Sequence, residues 1–317
     1  MANTISRPIA RCAALSLSAF LLGGCDGDDS MGPLDVVVTE VDGIGLEQPA
    51  AVIHDPVDDV YLVSNISGAP ADRDGSGFIS KLSPDGEVLD LHWVRLFGPD
   101  LALNSPRGMA IRGDSLFVAD LDCVRLFQRT EGTGVARVCL DGSTYLSDVD
   151  VGPEGSIFVA DAGLQAGANG LEASGSDAVY RVVLEAGRQG STLAQSPELG
   201  HPSGLAVGTR GIFVTTFGTG EIFRLTPAGE RTSVIPASGR SFDGIVFLPD
   251  GGFAYSSSSE STIHLVTGEG RIVRLLEDIP EPGALGYDEA RNRILVPLLS
   301  ENRILFVDLP DEPDDAL

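Results

Sequence analysis

The chain repeats itself. Six short segments superimpose on one another: Pro49-Ala50-Ala51-Val52-Ile53, Pro106-Arg107-Gly108-Met109-Ala110-Ile111, Leu146-Ser147-Asp148-Val149-Asp150-Val151, Pro202-Ser203-Gly204-Leu205-Ala206-Val207, Phe242-Asp243-Gly244-Ile245-Val246-Phe247 and Pro282-Gly283-Ala284-Leu285-Gly286-Tyr287. Their second residues stand at 50, 107, 147, 203, 243 and 283, giving spacings of 57, 40, 56, 40 and 40. A base period of 40, with about 17 and 16 residues inserted in units one and three, accounts for all five spacings. Within a unit, β-branched and aromatic runs such as Leu116-Phe117-Val118-Ala119-Asp120 and Ile157-Phe158-Val159-Ala160-Asp161 alternate with turns such as Ser83-Pro84-Asp85-Gly86 and Leu248-Pro249-Asp250-Gly251. Beyond the first residues no segment keeps a 3.6-residue apolar period, so helices are expected to be scarce. Four short strands in 40 residues make one blade of a β-propeller, and six copies make a ring of six blades. The expected fold is therefore all-β, a six-bladed propeller spanning residues 34–310 with four antiparallel strands per blade.

The ends of the chain say how such a ring closes. The fourth strand of unit five begins near Arg271, 28 residues after Asp243. The equivalent place after Gly283 is Asp311, where the acidic stretch 311–317 cannot form a strand. Unit six thus lacks its outer strand, while Val36-Val37-Val38-Thr39-Glu40-Val41 belongs to no unit. The simplest account is that this N-terminal run completes blade six and covers its edge.

The first 24 residues read as an address. Arg7 and Arg11 precede an apolar run from Ala13 to Leu22, too short to span a bilayer, which needs about 20 residues. Leu22-Gly23-Gly24-Cys25 resembles the lipobox of bacterial lipoproteins, which implies cleavage of the signal 1–24 and acylation of Cys25. Residues 25–33 are then a polar tether, and Asp26 resembles the enterobacterial signal for retention in the inner membrane. The expected place is the bacterial envelope on its periplasmic side, with the membrane as partner through the lipid. The chain carries 46 acidic against 21 basic residues, a net −25. The signal holds two arginines and no acid, so cleavage leaves 19 − 46 = −27. A surface this negative repels phosphate backbones and excludes nucleic acid as a partner.

With Cys12 in the signal and Cys25 acylated, Cys123 and Cys139 remain. They stand at the start of the third strand and the end of the fourth in blade two, on either side of the turn near Gly132, where a cross-strand disulfide or two buried thiols are both open. No His pair accompanies them, so they do not form a zinc site.

Strand order places both insertions, 66–77 and 162–177, on the face where the inner strands begin. Ala50, Arg107, Ser147, Ser203, Asp243 and Gly283 should ring the channel mouth beneath them, with Asp148 beside Ser147. Here the chain resembles the SMP-30/gluconolactonase and NHL-repeat propellers, most closely over Phe242-Asp243-Gly244-Ile245 and Leu248-Pro249-Asp250-Gly251. In lactonases of this kind a divalent metal sits at the mouth, held by a Glu opening the first inner strand, an Asn opening the fourth and an Asp opening the fifth, with a substrate-binding Asn opening the third. The metal would act as a Lewis acid. Only Asp243 matches; the other positions are Ala50, Ser203 and Ser147, and Glu47 is three residues out of register. One Asp and two hydroxyls hold Ca²⁺ or Mg²⁺ poorly.

Asp72-Arg73-Asp74-Gly75-Ser76 resembles the opening of an EF-hand loop, but position twelve is Ser83 and no helices flank it, which favours a plain turn into the next strand. Ca²⁺ or another divalent cation is the only cofactor left open. Arg107 and Asp243 open opposite blades; they either read two ends of a polar ligand, Arg107 gripping a carboxylate, or are solvated charges. Asp120 and Asp161 share one slot after strand two and read as turn caps. His54, His92, His201 and His264 are scattered and assemble no triad. The leading reading is a monomeric, lipid-anchored propeller binding a small polar ligand or an envelope protein through its top face. A metal-dependent lactonase using Asp243 and an inert structural module are the alternatives.

Overall fold

The computed structural model describes residues 36–96, 98, 102–184 and 189–310. The signal segment, Cys25, its tether and the acidic tail lie outside them. β1 (Val37–Val41) precedes the strands of six four-stranded sheets and joins the last of them. Blade one is β2 (Pro49–Asp55), β3 (Val60–Asn65), β4 (Phe78–Leu82) and β5 (Val88–Val94). Blade two is β6 (Pro106–Arg112), β7 (Ser115–Asp120), β8 (Cys123–Gln128) and β9 (Gly134–Cys139). Blade three holds β10 (Leu146–Val151) and β11 (Ile157–Asp161), then a hairpin of β12 (Leu164–Gly167) and β13 (Gly170–Ala173), then β14 (Ala178–Val183) and β15 (Gln189–Gln195). Blade four is β16 (Pro202–Gly208), β17 (Gly211–Thr216), β18 (Ile222–Leu225) and β19 (Arg231–Ile235). Blade five is β20 (Phe242–Phe247), β21 (Phe253–Ser257), β22 (Thr262–Val266) and β23 (Ile272–Leu276). Blade six has β24 (Gly286–Asp288), β25 (Arg293–Leu298) and β26 (Arg303–Asp308) from the C-terminal end, and β1 as its outer strand.

The ring closes through that last sheet. β1 pairs antiparallel with β26, from Val37 opposite Asp308 to Val41 opposite Ile304. Six apolar clusters fill the six seams, and the one between blades six and one joins Tyr61 and Val63 to Val41, Leu295, Ile304 and Phe306. Polar ties reinforce this seam: the Tyr61 hydroxyl donates to Asp288 at 2.7 Å and Arg293 to Pro84 O at 2.8 Å. Position in the blade explains composition. A second strand such as β3, β11 or β21 is covered on both faces by neighbouring blades and is buried throughout, hence continuous runs such as Ile157-Phe158-Val159-Ala160. Outer strands such as β9 and β19 are mostly exposed and carry Arg, Thr and Ser.

Near the axis the repeat motif gets its physical reason. Register breaks after the first residue of the inner strand in blades one to five, between Pro49 and Ala51, Pro106 and Met109, Leu146 and Asp148, Pro202 and Leu205, and Phe242 and Ile245. Each break is a β-bulge, which re-aims the residue inside it. The third residue of a unit meets the next blade. A Cβ on Gly204 would stand 2.3 Å from Asp243 O, and one on Gly244 2.4 Å from Leu285 N, so these positions demand glycine. In blade six, Gly283 and Ala284 are drawn against blade one instead. Ala284 N donates to Ala50 O at 2.9 Å, and the inner strand is shortened to Gly286–Asp288.

Candidate functional site at the channel mouth

A cavity of about 440 Å³ opens at the mouth of the channel. Ala50, Arg107, Ser147, Ser203 and Asp243, the five bulge residues, all line it. Both insertions contribute to its walls: Ile66 and Pro70 from the one in blade one, Ala162, Leu164 and Leu171 from the one in blade three. The walls are mainly apolar, with Phe217 and Leu299 completing them, and the charges are few.

Arg107 is held rigidly. Its guanidinium lies over the Tyr145 ring, 4.1 Å from the centroid, and Nη2 donates to Pro70 O at 3.1 Å, to Ser105 Oγ at 3.2 Å and to the Tyr145 hydroxyl. Its Nε is buried with no partner. Burial raises the Tyr145 phenol, with the Arg107 charge pulling the other way. Asp243 is the counterpart. No hydrogen bond supports its carboxylate, and burial pushes its pKa up to about 6 against the pull of the Arg107 charge. The two are not joined in an ion pair, so two opposite charges stand apart in a poorly solvated space.

The two serines are engaged. Ser147 Oγ donates to Pro202 O at 2.8 Å and Ser203 Oγ to Phe242 O at 2.8 Å, each tying its inner strand to the next blade. Asp148 stands with them in sequence but apart in space. It occupies the third position, where other units have Gly or Ala, and is turned towards blade four: Oδ2 accepts Leu205 N at 2.7 Å and Oδ1 accepts Val149 N at 2.8 Å. Burial raises its pKa well above the ordinary carboxylate range. Asp150 repeats the arrangement with Val207 N at 2.7 Å, so this ladder of carboxylates joins two blades and does not line the cavity.

The remaining acidic residues serve turns and loop caps. Asp74 Oδ1 accepts Ser76 N at 2.9 Å and Ser76 Oγ at 2.7 Å, and Asp72 is exposed in the same turn leading into β4. Glu47 accepts from the Ser67 hydroxyl. Asp120 and Asp161 cap the loops entering their own blades: Asp120 Oδ1 accepts Ser105 N at 2.8 Å, and Asp161 Oδ1 accepts Tyr145 N at 2.9 Å. Asn65 does the same for Glu47 N at 3.0 Å. Cys123 and Cys139 face each other across β8 and β9 and are joined by a disulfide.

A divalent cation of the lactonase kind does not fit this donor set. Ala50 has no ligand atom, the buried Ser203 hydroxyl already donates to a backbone oxygen, and the charge acting on Asp243 is the Arg107 cation. Among the described residues no group of three or more His, Cys, Asp or Glu side chains could hold a metal ion. Tyr145 was not singled out in the sequence, although the repeat contained it. The residues just before each unit stand at 48, 105, 145, 201, 241 and 281, and Tyr145, Ser241 and Glu281 line the cavity while Ser105 holds Arg107.

No family model matches the chain and no curated protein matches its sequence. Solved structures do share its fold. A gluconolactonase from Xanthomonas campestris is 16% identical with a TM-score of 0.65, over 87% of this chain and 90% of that one. Virginiamycin B lyase from Staphylococcus aureus is 14% identical with a TM-score of 0.59, over 87% of this chain and all of the other. At these identities the likeness is one of fold, and function has to be argued from the site.

Proposed function

We propose that the chain is a lipid-anchored binding propeller of the bacterial envelope, which takes a small ligand with polar groups into the mouth of its central channel. One observation carries this reading. Arg107 and Asp243 stand unpaired in a mainly apolar cavity of about 440 Å³, inside the range of about 300–1,000 Å³ usual for small-molecule sites. Unpaired charges in a poorly solvated space cost stability, and a ligand that satisfies them recovers that cost. Lipobox-like residues ending in Cys25 support the anchored placement.

The test is calorimetric titration of the purified chain with a panel of small polar and amphipathic compounds. Binding should be lost in both Arg107→Ala and Asp243→Ala. In a bacterial host, Cys25→Ser should abolish incorporation of labelled palmitate and release the protein from the membrane fraction. The fold shared with a gluconolactonase makes lactone hydrolysis the reading to set against this one. Turnover of a lactone panel that depends on an added divalent cation and disappears in Asp243→Ala would replace the binding assignment with a hydrolase.

A further inference from the structure

The two charges also specify the ligand, on the premise that the cavity is a binding site. Arg107 cannot cross to Asp243, because Tyr145, Pro70 and Ser105 pin its guanidinium. Asp243 in turn has no donor from the protein. A ligand that satisfies only Arg107 brings a negative charge into a cavity that already holds a carboxylate, and it must approach a molecule of net charge −25. A ligand that satisfies only Asp243 brings a second cation towards Arg107 and leaves the Arg107 guanidinium without a counter-charge. A zwitterion answers both charges at once and is neutral to the long-range field; Glu281, the third charge in the lining, is exposed to solvent. The walls set its body: Ile66, Leu164 and Leu299 line the cavity, and Leu171 and Phe217 are 43% and 44% exposed at its edge, a costly arrangement for large apolar side chains unless something covers them.

We infer that the cavity binds a small zwitterion with an apolar body, its carboxylate on Arg107 and its ammonium on Asp243, of which a short apolar peptide with free ends is the simplest form. A carboxylate on Arg107 meets a guanidinium already held in place at the cavity wall, in the charge-assisted geometry that Arg favours. An ammonium on Asp243 supplies the donor this carboxylate lacks.

Leucyl-phenylalanine tests the inference in four forms, namely free, N-acetylated, C-amidated and doubly capped, titrated calorimetrically into the whole chain at pH 7, where the peptide amine is mostly protonated and Asp243 mostly ionised. The free peptide should bind at least tenfold more tightly than either singly capped form. Asp243→Asn should weaken the free peptide at least tenfold and bind the N-acetylated form no more weakly than the wild type does, whereas Arg107→Gln should weaken the free peptide at least tenfold and bind the C-amidated form no more weakly than the wild type does. Circular dichroism confirms that both variants are folded. Equal affinity for all four forms overturns the zwitterion assignment while leaving the channel a binding site. The same holds if none of the four binds but another compound of the panel does so in an Arg107-dependent manner. Failure of every compound, peptides included, overturns the binding reading itself.

Discussion

At the scale of single residues, Asp243 links stability to function. Its carboxyl releases its proton near pH 3.8 when the chain is unfolded and near 6 when it is buried, so between these values the folded state holds the extra proton. Stability contributed at this residue is therefore complete below about pH 4, falls as pH rises through 6, and stays low above. At 1.36 kcal/mol per pKa unit the loss is up to about 3 kcal/mol. Asp243→Asn should consequently raise the unfolding free energy by up to about 3 kcal/mol at pH 7.5 and by almost nothing at pH 4, as read from urea melts at the two values. An equal gain at both, or a loss at pH 7.5, would show that the carboxylate is not strained. On the binding reading proposed above, the same variant should weaken binding of the free peptide, the trade of stability for function expected at a site. Asp243 was visible in the sequence because it stands at a repeat position shared by six units. Leu171 and Phe217 were not: they belong to a loop hairpin and an inter-strand turn, which follow no period and have no partner in the other units.

Among the elements, strands were legible and loops were not. The β-branched and aromatic runs, the turn residues and the 40-residue spacing located the blades and gave β1 its place. The insertion in blade three concealed a further hairpin, since Leu164–Gly167 and Gly170–Ala173 are too short and too Gly-rich to stand out as strands. Asp148 was misplaced on the rim for a related reason: a bulge decides which side chains face the axis, and the bulge is set by Gly and Ala contacts with the neighbouring blade. Val41 is 7% exposed in the closing seam, whereas Val37 is 64% exposed on the same strand. Val41→Asn should cost roughly 3–5 kcal/mol, and Val37→Asn within about 0.5 kcal/mol of nothing, in paired urea melts. Equal effects would mean that β1 does not close the ring in solution. In blade two, the disulfide bridges a sequence separation of 16, so Cys123→Ala with Cys139→Ala should lower stability by about 3 kcal/mol in the chain-entropy model. Reductant should lower the wild-type chain to the level of the double variant and leave that variant unchanged.

For the whole molecule the governing quantity is charge. Six apolar seams hold the blades together, and 46 acidic against 21 basic residues push outward on them. That repulsion reaches about 30 Å at 0.01 M ionic strength and about 10 Å at 0.1 M. Several acids are neutralised locally, as where Arg129 meets Asp55 at 2.6 Å and Arg291 meets Asp59 at 2.7 Å, but the excess remains. Salt should thus stabilise the ring, with a higher melting temperature at 0.2 M than at 0.01 M sodium chloride. The same field sorts ligands. An N-acetylated peptide is a net anion and has to enter against it, so its affinity should rise as salt screens the approach. The free zwitterion experiences opposing forces on its two ends, and its affinity should change less than about twofold over the same range. Titrating both peptides at the two salt concentrations separates the long-range field from the contacts at Arg107 and Asp243. A zwitterion whose affinity climbs with salt in step with the anion would mean that its ammonium never reaches Asp243.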